Sequence, residues 1–227
     1  MDKIKEITGK INPVIAAAAA AITVSAICAN FSVFARDAEN LRGEVIRLHI
    51  LANSDSAEDQ QLKLALRDEL LEKIVIPVGA KRDDTLRLIE ERLPQIEDVS
   101  RSFLKQAGCD LPVHAEITNM YFNTREYGGG ESAFRMPAGD YDALRLTIGA
   151  GAGHNWWCVL YPPLCLPAAA DKTSAGGKTS ADSKSLNKSP QKLDMYFSKR
   201  VSRELTAKPK IKFAVYELLC KKKKNYS

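Results

Sequence analysis

The sequence predicts an α+β fold, with a mixed or antiparallel sheet of about five strands and helices packed on one face. Residues 44–52 alternate apolar and polar side chains with the period of a strand. Residues 56–107 repeat apolar side chains every three or four positions, as helices do. Shorter alternating stretches follow, which gives the order β-α-α-β-β-β-α-β. A chain of 227 residues with 45% hydrophobic content suits one domain with appendages.

An apolar segment precedes this domain and reads as an export signal. Lys3, Lys5 and Lys10 come before the apolar run 14–29, and Ala35 is a small residue suited to cleavage. The same segment, extended to Ala35, is about 22 residues long and could instead remain as an anchor. Residues 1–35 are therefore a cleaved signal peptide or a membrane anchor, and both predict that the rest lies outside the membrane.

The net charge of +5 is concentrated outside the predicted fold. Subtracting +1 for residues 1–35, +2 for residues 168–190 and +4 for Lys221–Lys224 leaves −2 for the remainder. A nucleic-acid-binding face needs a basic patch on the fold itself, so nucleic acid is not expected as a partner. The lysine run reads as a solvated tail or, alternatively, as a weak attraction to an anionic membrane surface.

The first half of the domain follows from clear start and stop signals. After a charged spacer at 36–43, strand one places Ile46, Leu48, Ile50 and Ala52 on one face. Ser56 is expected to cap the first helix. A second helix runs from Asp83 to Gly108, and Pro94 inside it should kink it or split it in two.

The second half continues with three strands, one helix and one strand. The predicted elements are strands at 113–122, 141–148 and 156–161, a helix over 193–205 and a last strand over 211–219. Residues 36–167 and 191–220 would form a single domain. Residues 168–190 are a flexible low-complexity linker inside it, and 221–227 form a basic tail.

The stretch Gly149–Pro167 holds both tryptophans of the chain. If it is extended, Trp156 and Trp157 point to opposite faces, so one enters the core and the other faces out. Pro162 and Pro163 cannot donate to a ladder, so the strand ends there or lies at an edge. We interpret this stretch as a rigid aromatic surface suited to binding another protein.

Several other chemistries are weighed against this interpretation. An exported enzyme could use Cys158 with His154, but four residues of strand separate them by roughly 13 Å. Cys158 and Cys165 could form a local disulfide, or both could remain buried thiols. A cell-wall-binding module is a further alternative.

Neither a metal nor a cofactor is expected. The glycines at 149, 151 and 153 miss the dinucleotide fingerprint by one residue, and no helix follows them. The segment from Asn53 to Asp59 could hold calcium, but a strand-to-helix turn with a cap explains the same residues. No C-x-x-C spacing exists for zinc.

Two segments resemble a known family, the stage II sporulation protein R family. They are RLHILANSDSAEDQQLKLALRD at 47–68 and YGGGESAFRMPAGDYDALRLTIGAGAGHNWWCVLYPPLCL at 127–166. The loop at 127–136 is longer and richer in glycine than the family pattern, and the 168–190 linker and lysine tail are particular to this chain.

The resemblance implies an exported signalling protein of endospore-forming bacteria, with no catalytic residues and no small-molecule substrate. Such proteins are made in the forespore and trigger a membrane-embedded aspartic protease of the mother cell, which processes a sigma-factor precursor. The resemblance implies partner-binding roles for the matching motif residues. These are His49, Asn53, Ser54, Asp55, Asp59, Gln60, Tyr127, Asn155, Trp156, Trp157, Pro162 and Pro163. Pro137, Gly139, Cys158 and Cys165 are further motif positions.

Overall fold

A computed structural model describes residues 12–74, 81–127, 133–164, 189–207 and 211–224 of the chain. The chain divides into two units, Met1–Glu39 and Asn40–Ser227. The first unit consists, where described, of most of helix α1, Pro13–Glu44. This helix is long and apolar enough to cross a membrane, with a mean hydropathy of 2.0 over its most apolar part. The expected spacer at 36–43 is wrong, because no glycine or proline interrupts the helix before Gly43.

After α1 the chain forms one strand, three helices, five strands and three more helices within the described residues. In chain order they are β1 Ile46–Leu51, α2 Ala57–Lys73, α3 Arg82–Glu91, α4 Leu93–Gln106, β2 Val113–Phe122, β3 Arg125–Tyr127, β4 Phe134–Met136, β5 Gly139–Ile148, β6 Asn155–Tyr161, α5 Ser189–Tyr196, α6 Lys199–Thr206 and α7 Ile211–Lys224.

The predicted α+β fold with a mixed sheet is confirmed. The main sheet has four strands in the order β2-β5-β1-β6, and β3 pairs with β4 in a separate hairpin. β1 runs parallel to β5, and the other two neighbouring pairs are antiparallel. β6 therefore lies at an edge of the sheet and ends at Tyr161, directly before the proline pair, as predicted.

The first face of the sheet carries a core built from the predicted side of β1. Ile46, Leu48 and Ile50 are fully buried there. Leu66 and Leu70 of α2 and Ile96 and Leu104 of α4 complete the same apolar cluster. Pro94 separates α3 from α4 and lies in the first turn of α4, where its missing N–H costs no helical hydrogen bond.

The second face of the sheet is also covered. Its apolar cluster comprises Leu41, Val45, Phe122, Phe134, Met136, Tyr141, Ala143, Val159, Leu164, Leu193, Phe197 and Leu205. Helices α5 and α6 contribute to it through Leu193 and Leu205. The sequence did not indicate this, because the second side of β1 carries Arg47 and His49 and reads as polar.

The predicted last strand is wrong, since residues 211–224 form helix α7. The alternation of Ile211, Phe213 and Val215 is too short to separate a strand from a helix. Phe213 and Tyr216, three residues apart, are the residues buried on one side of α7. The predicted helix over 193–205 is two helices, with Ser198 capping the second. Most of the predicted linker, residues 168–188, lies outside the described residues.

Candidate partner-binding site

The two resembling segments meet at one edge of the sheet. Because β1 and β5 are parallel neighbours, their carboxyl ends lie side by side. The loop after β1, residues 52–56, therefore lies beside the loop after β5, residues 149–154. We call these two loops, together with Asp59 and Gln60 in the helix turn that follows the first loop and with Asn155 directly after the second, the motif-loop surface.

Backbone hydrogen bonds join the two loops. The N–H of Gly153 donates to the Ala52 carbonyl at 2.9 Å, and that of Ala152 donates to the Asn53 carbonyl at 3.1 Å. The Asn53 side-chain oxygen accepts from the Ala150 N–H at 3.0 Å. Asn53 thus binds the loop after β5 through both its main chain and its side chain.

The carboxylate of Asp59, in the first turn of α2, organises the first loop from within. Its Oδ2 accepts from Ser54 Oγ at 2.5 Å and from Asn53 Nδ2 at 2.9 Å. These bonds, that from Ser54 foremost, hold the pKa of Asp59 below its usual range. Its backbone N–H donates to Ser56 Oγ at 3.1 Å, which confirms the predicted helix cap. Across the described residues, no group of three or more acidic, histidine or cysteine side chains could hold a metal ion.

Lys63 joins helix α2 to the loop after β5, and it was not among the residues singled out from the sequence. Its ammonium group donates to Gln60 Oε1 at 2.6 Å and to the His154 carbonyl at 2.7 Å, while Gln60 Nε2 donates to the Ser54 carbonyl at 2.9 Å. Lys63 is 3% exposed, and this burial lowers its pKa. The sequence did contain one indication of its role: Lys63 lies three residues after Gln60, so the two side chains share one side of the helix.

Two glycines make the close approach of the loops possible. A Cβ on Gly149 would lie 2.3 Å from Asn53 Oδ1, and the backbone there has a φ of +54°. A Cβ on Gly153 would lie 2.1 Å from the Ser54 carbonyl oxygen. Gly149 and Gly153 therefore permit the contact between the loops.

The outer part of the motif-loop surface carries a carboxylate and an imidazole in contact. Asp55 Oδ1 accepts from the His154 backbone N–H at 2.6 Å and also contacts the ring Nδ1. Their side chains are 55% and 81% exposed. The hydrogen bonds from His154 lower the pKa of Asp55. Asn155, the first residue of β6, is exposed beside them.

Trp156 and Trp157 point to opposite faces of β6, as predicted, but neither is fully exposed. The Arg67 guanidinium lies 4.1 Å from the centroid of Trp156 on the first face. Trp157 stacks on His49 on the second face, with ring centroids 3.9 Å apart and planes 9° from parallel. Both indoles are half-buried. The expectation that one indole enters the core while the other faces out is corrected, because both are half-buried and a neighbouring cation or ring covers each.

His49 is buried beneath Trp157 and is a packing residue in this structure. It is 3% exposed, and neither ring nitrogen has a partner within hydrogen-bonding geometry. Burial lowers its pKa to about 4; the Arg145 charge adds to this shift, and the nearby Asn155 side chain opposes it. His49 can therefore reach a partner only through its effect on Trp157.

Arg47, also missed by the sequence reasoning, is a fully buried cation on the same side of β1. Its Nε donates to the Cys158 carbonyl at 3.2 Å, and its Nη2 donates to the Tyr127 hydroxyl. The guanidinium lies 4.5 Å from the Phe122 centroid and 5.0 Å from that of Tyr141. Aromatic faces therefore surround this charge, and no carboxylate within the described ranges pairs with it. Tyr127 therefore holds the buried Arg47 guanidinium in place by accepting its hydrogen bond.

The remaining predicted residues lie away from the motif-loop surface. β6 has seven residues, so its far end is roughly 20 Å from Asn155. Pro162 is buried there and Pro163 is exposed. The predicted partner-binding residues therefore do not form one patch. Those at the motif-loop surface are Asn53, Ser54, Asp55, Asp59, Gln60 and Asn155, with His49, Trp156 and Trp157 beside it.

Cys158 is 3% exposed and disulfide-bonded. Cys28, Cys109 and Cys220 are free thiols. The alternative in which Cys158 remains a buried thiol is therefore wrong. Cys165, with which a local disulfide would pair it, lies outside the described residues, so that pairing stays a prediction.

Comparison with known proteins identifies the segments that build this site. A family model described as Stage II sporulation protein R matches residues 42–171. The chain is 39% identical over 124 residues to the Stage II sporulation protein R of Bacillus subtilis (strain 168). That alignment covers 54% of each chain, so this chain spans about half the length of the curated relative it matches. No solved structure matches it. The chain belongs to the stage II sporulation protein R family.

Proposed function

We propose that this chain is an exported sporulation signal that activates a membrane-embedded aspartic protease. The protein would be made in the forespore and cross its membrane by means of α1. Beyond that membrane it would bind the protease in the mother-cell membrane, which then processes the precursor of the early mother-cell sigma factor. Family membership and the apolar α1 helix support this proposal.

The observation that carries the proposal is the convergence of the two signature segments on one rigid, exposed surface. Asn53 and Gly153 are held by hydrogen bonds between the loops. Asp55, His154 and Asn155 remain accessible on the outside. A surface that is already ordered pays little conformational entropy on binding, which favours recognition of a partner.

Activation by such a ligand requires a difference in affinity between two states of the protease. The ligand shifts the equilibrium only as far as it binds the active state better than the inactive state. A preformed surface suits this role, since its shape does not adapt to the inactive state. The signalling protein itself needs no catalytic group.

The alternative thiol enzyme lacks support in the geometry. A disulfide-bonded sulfur has no thiolate, and Cys158 is buried. The His154 ring instead contacts Asp55 at the end of the sheet. No observation favours the cell-wall-binding module, and binding of the purified chain to peptidoglycan in a pelleting assay would be evidence for it.

The test uses a spore-forming bacterium in which this chain replaces the resident family member. The double variant His154→Ala/Asn155→Ala removes two exposed side chains of the motif-loop surface. We expect normal protein levels and at least a tenfold loss of sigma-factor precursor processing. The matched control is Glu90→Ala/Asp98→Ala, two exposed positions on α3 and α4, which should process normally.

Normal processing by the His154/Asn155 double variant would contradict the proposal that this surface binds the protease. Failure of the unaltered chain to support processing, at normal levels and in the correct membrane fraction, would contradict the signalling function itself. Alanine at Trp156 or Trp157 is a weaker test, because each indole also packs on a buried side chain.

A further inference from the structure

Helix α7 has two apolar sides, and in the described part of the chain only one of them is buried. Phe213 and Tyr216 are buried, at 3% and 7% exposure. Four large apolar side chains of the same helix are exposed: Ile211 at 67%, Val215 at 42%, Leu218 at 70% and Leu219 at 52%. Scattered exposed leucines are common, but four on one helix need an explanation.

The four exposed side chains form a single stripe. An α-helix advances about 100° per residue, so the spacings of four, three and one residues place them within roughly 100° of one another. Phe213 and Tyr216 fall on another side of the helix by the same arithmetic. The stripe is therefore a continuous apolar face of the kind by which helices bind a second surface.

The sequence of α7 is strongly basic, and most of its lysines follow the stripe along the chain. Its sequence contains Lys212, the run Lys221–Lys224 and a single acidic residue, Glu217. Glu217 is already bound, since its carboxylate pairs with Lys221 Nζ at 2.8 Å and accepts from the Thr124 N–H at 3.1 Å. Four lysines in succession after an apolar stripe complement an anionic surface.

We propose that α7 is a peripheral membrane-binding helix that lies on bilayers containing anionic phospholipid. Its apolar stripe would enter the boundary between headgroups and acyl chains, and the lysine run would contact the headgroups. A bilayer is the occupant that fits the charge, because a second copy of this chain would bring the same positive helix. The helix also lies beyond residues 42–171, so it does not belong to the segment matched by the family model.

The experiment uses the full chain reconstituted in vesicles through its own N-terminal segment. One set contains phosphatidylcholine alone, and the other contains phosphatidylcholine with 30% phosphatidylglycerol. Amide hydrogen exchange of a peptide covering α7 is read by mass spectrometry, with a β2 peptide as internal reference. We expect α7 to exchange at least fivefold more slowly in the anionic vesicles, and β2 to exchange equally in both.

Two variants separate the apolar and the electrostatic contributions. Leu218→Ser/Leu219→Ser should abolish the protection of α7 in anionic vesicles, because it removes half of the stripe. Lys221–Lys224 changed to glutamine should abolish it as well. Two controls are matched to these variants in exposure and in charge. They are Met195→Ser, and glutamine at Lys73, Lys81, Lys105 and Lys199, which are all exposed.

Equal exchange of α7 in neutral and anionic vesicles would overturn the proposal. Protection in neutral vesicles that grows with protein concentration would also overturn it, since a second copy would then cover the stripe. A third result would also overturn it. If the leucine variant or the lysine variant kept the slow exchange of α7 while the control variants lost it, the membrane contact would belong to another part of the chain.

Discussion

A hydrogen atom is the largest side chain that residue 153 can carry in this structure. The chain passes so close to Ser54 that a Cβ at Gly153 would lie 2.1 Å from the Ser54 carbonyl oxygen and 2.4 Å from its carbonyl carbon. Both neighbours are main-chain atoms, which cannot move aside as a flexible side chain would. The contact between the motif loops therefore depends on glycine at this position.

Gly153→Ala should destabilise the folded chain by at least about 2 kcal/mol, because backbone must move to admit the methyl group. The measurement is urea unfolding of the full chain in mild detergent, followed by tryptophan fluorescence. Gly43→Ala is the matched control: a Cβ there meets nothing within 4 Å, and the change should be neutral or stabilising by up to about 1 kcal/mol. Equal midpoints for the two variants would contradict this account of the loops.

His49 connects the burial of a single ring to the pH dependence of the fold. In the folded chain burial keeps it neutral down to a pKa of about 4, against 6.5 ordinarily. Between these values the unfolded chain binds more protons than the folded chain, so stability falls as the pH decreases. The size of this contribution is about 2 kcal/mol between pH 7 and pH 5.

His49→Phe should remove this contribution while keeping a flat ring against Trp157. We expect equal or greater stability at pH 7, because two unpaired polar atoms leave the core, and a smaller loss on acidification. Unfolding midpoints at pH 7 and pH 5 give the comparison. A His49 variant with undiminished pH dependence would show that another group is responsible.

At the scale of elements, strand β1 contributes side chains to the packing on both faces of the sheet. One side of it supplies the fully buried Leu48 and Ile50. Its other side supplies Arg47 and His49, which aromatic rings surround. Helix α2 begins after the five-residue loop that follows β1, at a cap that belongs to the first motif loop.

Ser56→Ala should destabilise the fold by about 1 kcal/mol, since the Asp59 backbone N–H loses its acceptor. Thermal unfolding followed by circular dichroism measures the change. The control, Ser102→Ala, lies exposed within α4 and should be neutral or slightly stabilising, because alanine is the better helix former. If both substitutions had the same effect, the cap would contribute nothing to α2.

At the scale of the whole molecule, the N-terminal unit and the cysteines bear on the same question of compartment. α1 is long and apolar enough to cross a membrane. Cys158 is disulfide-bonded, and disulfides persist in oxidising compartments and are rare in the cytoplasm. From these two features we predict that the domain functions outside the cytoplasm.

Maleimide labelling of the full chain under denaturing conditions, followed by mass measurement, tests this prediction. Without reduction we expect three of the five cysteines to react, Cys28, Cys109 and Cys220, and all five after reduction. Loss of residues 1–35 by cleavage would give two of four, so the mass also reports whether the segment is retained.

A chain expressed without residues 1–35 should stay in the cytoplasm and react fully without reduction. Complete reaction of the exported chain before reduction would contradict the disulfide and the oxidising compartment together.

The sequence predicted those elements whose apolar pattern and end signals agree. Strand β1, the Ser56 cap and the split at Pro94 follow from local rules of periodicity, capping and proline geometry. The same reasoning failed for α7, because an apolar run of a few residues fits either period and burial decides between them.

The sequence named candidate site residues but did not predict how they are arranged in space. Asn53, Asp59 and Asn155 were singled out from the sequence, whereas Lys63 and Arg47 were missed. The burial of a lysine or arginine cannot be recognised from local sequence here, because the carbonyls and rings that surround these two cations come from strands and loops distant in sequence.

The sequence by itself determined the class of fold, the apolar leader and the two signature segments, because each depends on residues that are near neighbours in the chain. Only the tertiary structure decided that the signature segments meet, that both indoles are covered and that His49 is buried. These facts depend on the parallel pairing of β1 with β5, a contact between residues almost a hundred positions apart, and no local pattern encodes it.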